Sequence, residues 1–201
     1  DNVMVRNAAQ GLYATGACAG TVVQDNSIYG GGGVGMYGVY LAGARGLVLG
    51  TEGLGNDIAG TTQGLFAFGT LTGTTITGNL IEQNQTGIVL LGAKSLAIAA
   101  GNRIVSNSAW GLYASGDCAL TTVKGSTFQA NKSGVYMDAV LGMTVGTETA
   151  GEGNTISANQ FGLFAIGVST GTSVLGNTIS GNTTNITVDA TAAATGTFQA
   201  V

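Results

Sequence analysis

The chain has no proline and no histidine in 201 residues. Without proline, no backbone N–H is missing, so every strand can donate to a ladder on either side. Without histidine, the commonest metal ligand and the usual proton carrier near neutral pH are both absent. Charge is scarce as well: six Lys and Arg against ten Asp and Glu, or 8% of residues, where about 25% is usual. A net charge of −4 leaves no basic footprint for nucleic acid. No apolar run approaches the roughly 20 residues that span a bilayer, and no signal peptide opens the chain. No stretch sustains a helical period. Only two cysteines occur, Cys18 and Cys118.

What the chain has is glycine, 36 of them, and a repeat. The phrase Gly-Asn-x-Ile-x-x-Asn stands at Gly78–Asn84, Gly101–Asn107, Gly153–Asn159 and Gly176–Asn182, with weaker copies from Asp1, Asp25, Gly55 and Gly125. Its first Asn falls at 2, 26, 56, 79, 102, 154 and 177, with Ser126 in the remaining slot, giving steps of 24, 30, 23, 23, 24, 28 and 23. A fixed period in this range marks an architecture whose units bury apolar faces only by stacking. After most copies comes Gly, an aliphatic, then usually an aromatic, as in Gly11-Leu12-Tyr13, Gly64-Leu65-Phe66 and Gly111-Leu112-Tyr113. The alternation there has period two, which is the strand signal.

About 23 residues suffice for three short strands and their turns. The expectation is an all-β fold: a right-handed parallel β-helix, or solenoid, of about eight coils, with residues 1–201 as one domain. At about 4.8 Å per coil the rod would be roughly 38 Å long. The long steps place insertions at Gly30–Tyr37, Gly50–Gly55 and Gly146–Gly153. A longer period overlies the short one. Gly11-Leu-Tyr-Ala-Thr-Gly-Ala-Cys18 returns as Gly111-Leu-Tyr-Ala-Ser-Gly-Asp-Cys118, and Gly64-Leu-Phe-Ala returns as Gly162-Leu-Phe-Ala, so the rod reads as a duplicated block of four coils. The second Asn of each phrase (Asn84, Asn107, Asn131, Asn159, Asn182) falls at a corner, where stacked amides form a structural asparagine ladder. Cys18 and Cys118 then lie about 19 Å apart along the axis, too far for a disulfide within one chain. They read as two small buried hydrophobes, or as an inter-chain bridge.

At Val145–Asn159 and Gly176–Asn182 the chain resembles the right-handed parallel β-helix repeats of large secreted bacterial and archaeal proteins. That group includes pectate-lyase-like and periplasmic copper-maturation β-helices. The resemblance implies the fold. It leaves function open among lyases, hydrolases, epimerases, adhesins and surface proteins, so function has to come from a site.

No catalytic site, metal site or cofactor is expected. Asp138 has Ser115 and Ile166 as column mates, so no second carboxylate stacks on it for acid–base work. Glu148 with Glu152, or Glu52 with Asp57, could hold Ca²⁺ with backbone carbonyls. The blander reading is solvated loop charge. The sequons at Asn84, Asn131, Asn182 and Asn185 permit glycosylation without showing it.

The aromatic column is the candidate binding surface. Parity turns Asp138, Thr15 and Ser115 outward, and with them Tyr13, Tyr40, Phe66, Tyr113, Tyr136 and Phe164; the opposite parity would make those rings core. Soluble monomers seldom expose a long apolar strip. A second copy, a polysaccharide or the chain's own insertions should cover it. With no terminal helix or polar cap in view, open coil ends favour head-to-tail association. The sequence therefore reads first as a secreted, extracellular or cell-surface rod that self-associates as a homo-oligomer or filament, a fibre or adhesive stalk subunit. The alternative is a carbohydrate-active β-helix, either lyase- or hydrolase-like or a glycan-binding module. The column Val22, Val48, Thr75, Ala97, Thr122, Thr144, Ser173 is too irregular to favour ice binding. Asp1 opens within the repeat, as expected of a trimmed secreted precursor.

Overall fold

The computed structural model describes residues 2–7, 9–31 and 36–200. The Gly32–Gly35 part of the first expected insertion, and Asp1, lie outside them. The chain winds through eight coils of a right-handed parallel β-helix, each contributing one strand to each of three faces. The first face runs from Asn2–Asn7 through Leu80–Glu82 to Thr155–Ser157 and the second half of Ser173–Ser180. The second face has the long strands: Gln10–Ala17, Tyr37–Arg45, Gln63–Thr70, Thr86–Lys94, Trp110–Asp117, Ser133–Leu141, Phe161–Ile166 and Thr184–Val188. Most strands of the third are two residues long, from Val22–Val23 to Thr144–Val145.

The inward columns are aliphatic and dry. Ile28, Ile58, Ile81, Ile104, Phe128, Ile156 and Ile179 stack on the first face and are buried. Val39/Leu41, Leu65/Ala67, Ile88/Leu90 and Leu112/Ala114 do the same on the second. Each large aliphatic contributes about 1.5–3 kcal/mol by leaving water. None of these columns closes within a single coil, which is why the repeat must stack to fold.

Two corners carry polar ladders. At the corner entering the second face, the side-chain oxygens of Asn107, Asn131, Asn159 and Asn182 each accept the backbone N–H of the preceding ladder residue, from Asn84 onward, at 2.9–3.1 Å. Each side-chain NH₂ donates to a carbonyl one coil back, as Asn107 does to Ile81 at 3.2 Å. The residue before each ladder Asn takes a left-handed turn: Gln83, Ser106, Ala130 and Ala158 at φ 54–56°, then Gly181. A second ladder occupies the corner entering the first face. It runs Asn26, Asn56, Asn79, Asn102, then Ser126, Asn154 and Asn177. The first Asn of the phrase thus does the same work as the second. Asn84 and Asn131 are buried in their ladder, which removes those two sequons as glycosylation sites.

One expectation is corrected. The sequence reading found no helix near the end, yet Ala190–Thr195 is helical. It fills the corner between the second and third faces in the last coil, ahead of strand Thr197–Ala200. Asp189 caps it, accepting from the N–H of Ala192 at 2.6 Å and of Gly167 at 2.9 Å. Ala192 is fully buried. Six residues, four of them alanine, are good helix formers behind a strong N-cap, but too few to show a period.

Candidate functional site

The outward side of the second face carries three columns. The middle one is Tyr13, Tyr40, Phe66, Val89, Tyr113, Tyr136, Phe164 and Thr187. On one flank lie Gln10, Tyr37, Gln63, Thr86, Trp110, Ser133, Phe161 and Thr184. On the other lie Thr15, Ala42, Phe68, Leu91, Ser115, Asp138 and Ile166. The glycine between the first flank and the middle column is sterically required. A Cβ on Gly111 would sit 2.6 Å from the Gly134 carbonyl and 2.9 Å from the Asn131 amide nitrogen. The ladder corner therefore sets where the long strands begin, and the strands set the ring register.

The middle rings stack face to face along the rod. Tyr13–Tyr40, Tyr40–Phe66, Tyr113–Tyr136 and Tyr136–Phe164 have centroids 5.1–5.7 Å apart and planes within 21°. Rings stacked this way turn their faces toward each other and their edges to solvent. Tyr13, at the end of the stack, is 54% exposed; the other rings of the column are half-buried, and Val89 is buried. The column faces outward, though its rings bury much of one another.

The flanking rings are turned out of the stack. Tyr37 meets Tyr40 at 75°, Phe68 meets Tyr40 at 71° and Phe161 meets Phe164 at 77°. Trp110 is tilted 39° to Tyr113 and 45° to Tyr136. Their faces do not point along the rod, and Phe68 is exposed. Sequence reasoning passed over Tyr37, Trp110 and Phe161. The signal was there as aromatic-Gly-aliphatic-aromatic, in Tyr37-Gly-Val-Tyr40, Trp110-Gly-Leu-Tyr113 and Phe161-Gly-Leu-Phe164.

The face is almost uncharged. Apart from tyrosine hydroxyls, Asp138 is the one ionisable group in the three columns among the described residues, flanked by Ser115 and Ile166. Burial, with Asp138 and Tyr113 nearby, holds the Tyr136 hydroxyl above its ordinary pKa. At the far strand ends Lys94 pairs with Asp117, whose carboxyl is held low by that hydrogen bond. Small polar groups lie between the rings: Thr86 and Ser133 are buried, and the Gln63 side-chain oxygen is enclosed without a partner.

Elsewhere the ionisable groups are dispersed. On the first face the Tyr29 hydroxyl donates to Asp57. The loop of residues 146–153 flanks an open groove of about 370 Å³ that Glu148 lines. Its other acid, Glu152, accepts from Lys124 at 2.8 Å and Thr147 at 2.6 Å, which lowers its pKa. Glu52 lines a separate groove with Gly53, Thr77 and Gly78. Both expected acid pairs thus have a member already engaged by protein groups. Cys118 is buried and Cys18 half-buried, each thiol directed at a carbonyl three residues back.

The family model described as periplasmic copper-binding protein (NosD) matches residues 1–198. No curated protein matches the chain. Among solved structures, the periplasmic alginate epimerase AlgG aligns with a TM-score of 0.69 at 18% identity, over 96% of this chain and 47% of that one. A double mutant of AlgG gives 0.70 at 16%, with the same coverage. The A-module of the mannuronan C-5 epimerase AlgE6 from Azotobacter vinelandii gives 0.48 at 20%, over 87% and 56%. The chain spans about half the length of the structures it matches. At these identities the likeness is one of fold.

Proposed function

The chain belongs to the family of periplasmic copper-binding protein NosD, and from that premise we propose that it is a glycan-binding β-helix of the cell envelope. The observation that carries the reading is the second face: a strip of rings on a rigid sheet, with four of them turned out of the stack beside it. Turned rings offer the apolar faces on which sugar rings rest, and amphipathic aromatics of this kind are efficient anchors because they lose little conformational entropy. The coil rise of about 4.8 Å is comparable to one sugar unit of an extended chain. The company of alginate epimerases on the same fold supports a carbohydrate ligand over a fibre role.

The ligand class follows from charge. A polyuronate needs cations, and the three columns hold none: Lys94 is paired with Asp117 and Arg45 lies at a far strand end, while Asp138 in the columns would repel a carboxylate. The occupant is therefore a neutral, linear polysaccharide. Binding without turnover fits as well, since Asp138 stands without a second acid or a base in its columns.

A fibre role draws on the same rings, but mutual stacking already covers much of their area. The copper in the family's description also needs a donor set. Copper favours imidazole, thiolate and thioether ligands. The chain has no histidine. Met36, Met137, Met143 and Cys118 are buried in the apolar core, and no three His, Cys, Asp or Glu side chains gather among the described residues. These residues do not fit a copper site. Within the reading, the rod is exported to the periplasm or beyond.

The test is binding of hydroxyethyl cellulose and galactomannan against alginate, read by affinity electrophoresis and by emission of Trp110, the sole tryptophan. Retardation by a neutral polymer, lost in Trp110→Ala, is expected. Retention of alginate alone, or of none of the three, would overturn the reading.

A further inference from the structure

The strip is two patches. Tyr13, Tyr37, Tyr40, Phe66 and Phe68 form one connected set of ring contacts over coils one to three. Trp110, Tyr113, Tyr136, Phe161 and Phe164 form another over coils five to seven. Coil four interrupts them with Thr86, Val89 and Leu91, and Val89 is 5% exposed. Each patch has three stacked middle rings and two flanking rings, but the flanking rings differ: Tyr37 and Phe68 lie on opposite flanks of the first patch, Trp110 and Phe161 on one flank of the second. The middle rings repeat with the sequence, Tyr13, Tyr40 and Phe66 matching Tyr113, Tyr136 and Phe164, whereas the flanking rings Tyr37, Phe68, Trp110 and Phe161 correspond to Ser133, Ile166, Gln10 and Gln63 in the other block.

Resting on the glycan reading, we infer that the chain holds two glycan subsites and grips one polysaccharide strand at both. The patches are centred four coils apart, about 19 Å. Both lie on the same parallel sheet in continuous register, so a straight strand meets them in line. Each patch covers three coils, room for about three sugar units at one unit per coil. A strand of roughly seven units or more would reach both. Occupying the first patch then delivers the strand to the second at high effective concentration, and affinity rises with chain length without any new contact. Coil four puts only Thr86, Val89 and Leu91 in the three columns, with Lys94 at the far strand end, which leaves the strand free to pass over it.

The experiment is calorimetric titration with linear manno-oligosaccharides of three units and of about ten units, the longer one chosen to exceed the two-patch span. Two trisaccharides per chain are expected, and one longer oligosaccharide bound at least about tenfold more tightly. In Trp110→Ala/Phe161→Ala the trisaccharide count should fall to one and the length advantage should vanish. Tyr37→Ala/Phe68→Ala should mirror it, and circular dichroism confirms that each variant keeps its β-sheet. One trisaccharide per chain, or affinity independent of length, would overturn the two-subsite inference while leaving glycan binding intact. Failure of both ligands to bind would overturn the glycan reading and this inference with it.

Discussion

At the scale of the residue, the fold depends on buried asparagine as well as on its apolar columns. Asn107 is buried and satisfies a backbone N–H of Asn84 and the carbonyl of Ile81 while bonding to Asn131. Removing it strands two backbone groups where water cannot reach, and each such group costs about 1–3 kcal/mol. Asn107→Ala should therefore destabilise the rod by about 2–4 kcal/mol, read as a lower urea midpoint. Asn185 ends the same ladder in an exposed position, and Asn185→Ala should change stability by less than about 1 kcal/mol. Equal effects of the two substitutions would show that burial of the ladder is not what counts. The second-Asn ladder was legible in the sequence because its residues recur at a fixed step. The other ladder was equally periodic, but its Asn served only to mark the repeat, and its hydrogen bonding went unread.

At the scale of the element, period-two alternation told inward from outward on the long strands, and parity anchored on Asp138 chose the right side. The orientation of each ring plane was not legible. Stacking or tilting is set by packing between coils, and no alternation pattern carries it. The helix Ala190–Thr195 escaped for a different reason, being a single capped turn and a half with no second turn to show a period. Its cap gives a prediction. Hydrogen bonds from the Ala192 and Gly167 N–H groups hold the Asp189 carboxyl below the ordinary carboxylate range. A depressed folded pKa contributes stability above the unfolded value, near pH 4, and loses it as pH falls further. Asp189→Ala should therefore lower the urea midpoint at pH 7, and its difference from the unsubstituted chain should shrink progressively below about pH 4. A difference independent of pH would mean that the charge of the cap contributes nothing.

At the scale of the whole molecule, repetition explains both the rod and the site. Stacked coils give a stiff sheet, the sheet aligns the rings, and duplication supplies them twice. The fold and its eight coils could be read from the repeat alone, because five of the seven steps are 23 or 24 residues and the two longer ones hold insertions. The ligand could not, since rings on an outward face suit a second protein copy as well as a sugar. The proposed glycan reading rests on three-dimensional facts, rings that cover one another and flanking rings turned away from the stack, together with the scarcity of charge in the sequence. The most direct test is a backbone amide NMR titration of the protein with linear manno-oligosaccharides. The account predicts shifts confined to the second face, around Tyr37, Phe68, Trp110 and Phe161, with the first and third faces unmoved. Shifts centred on the loop of residues 146–153, or none at saturating sugar, would contradict it.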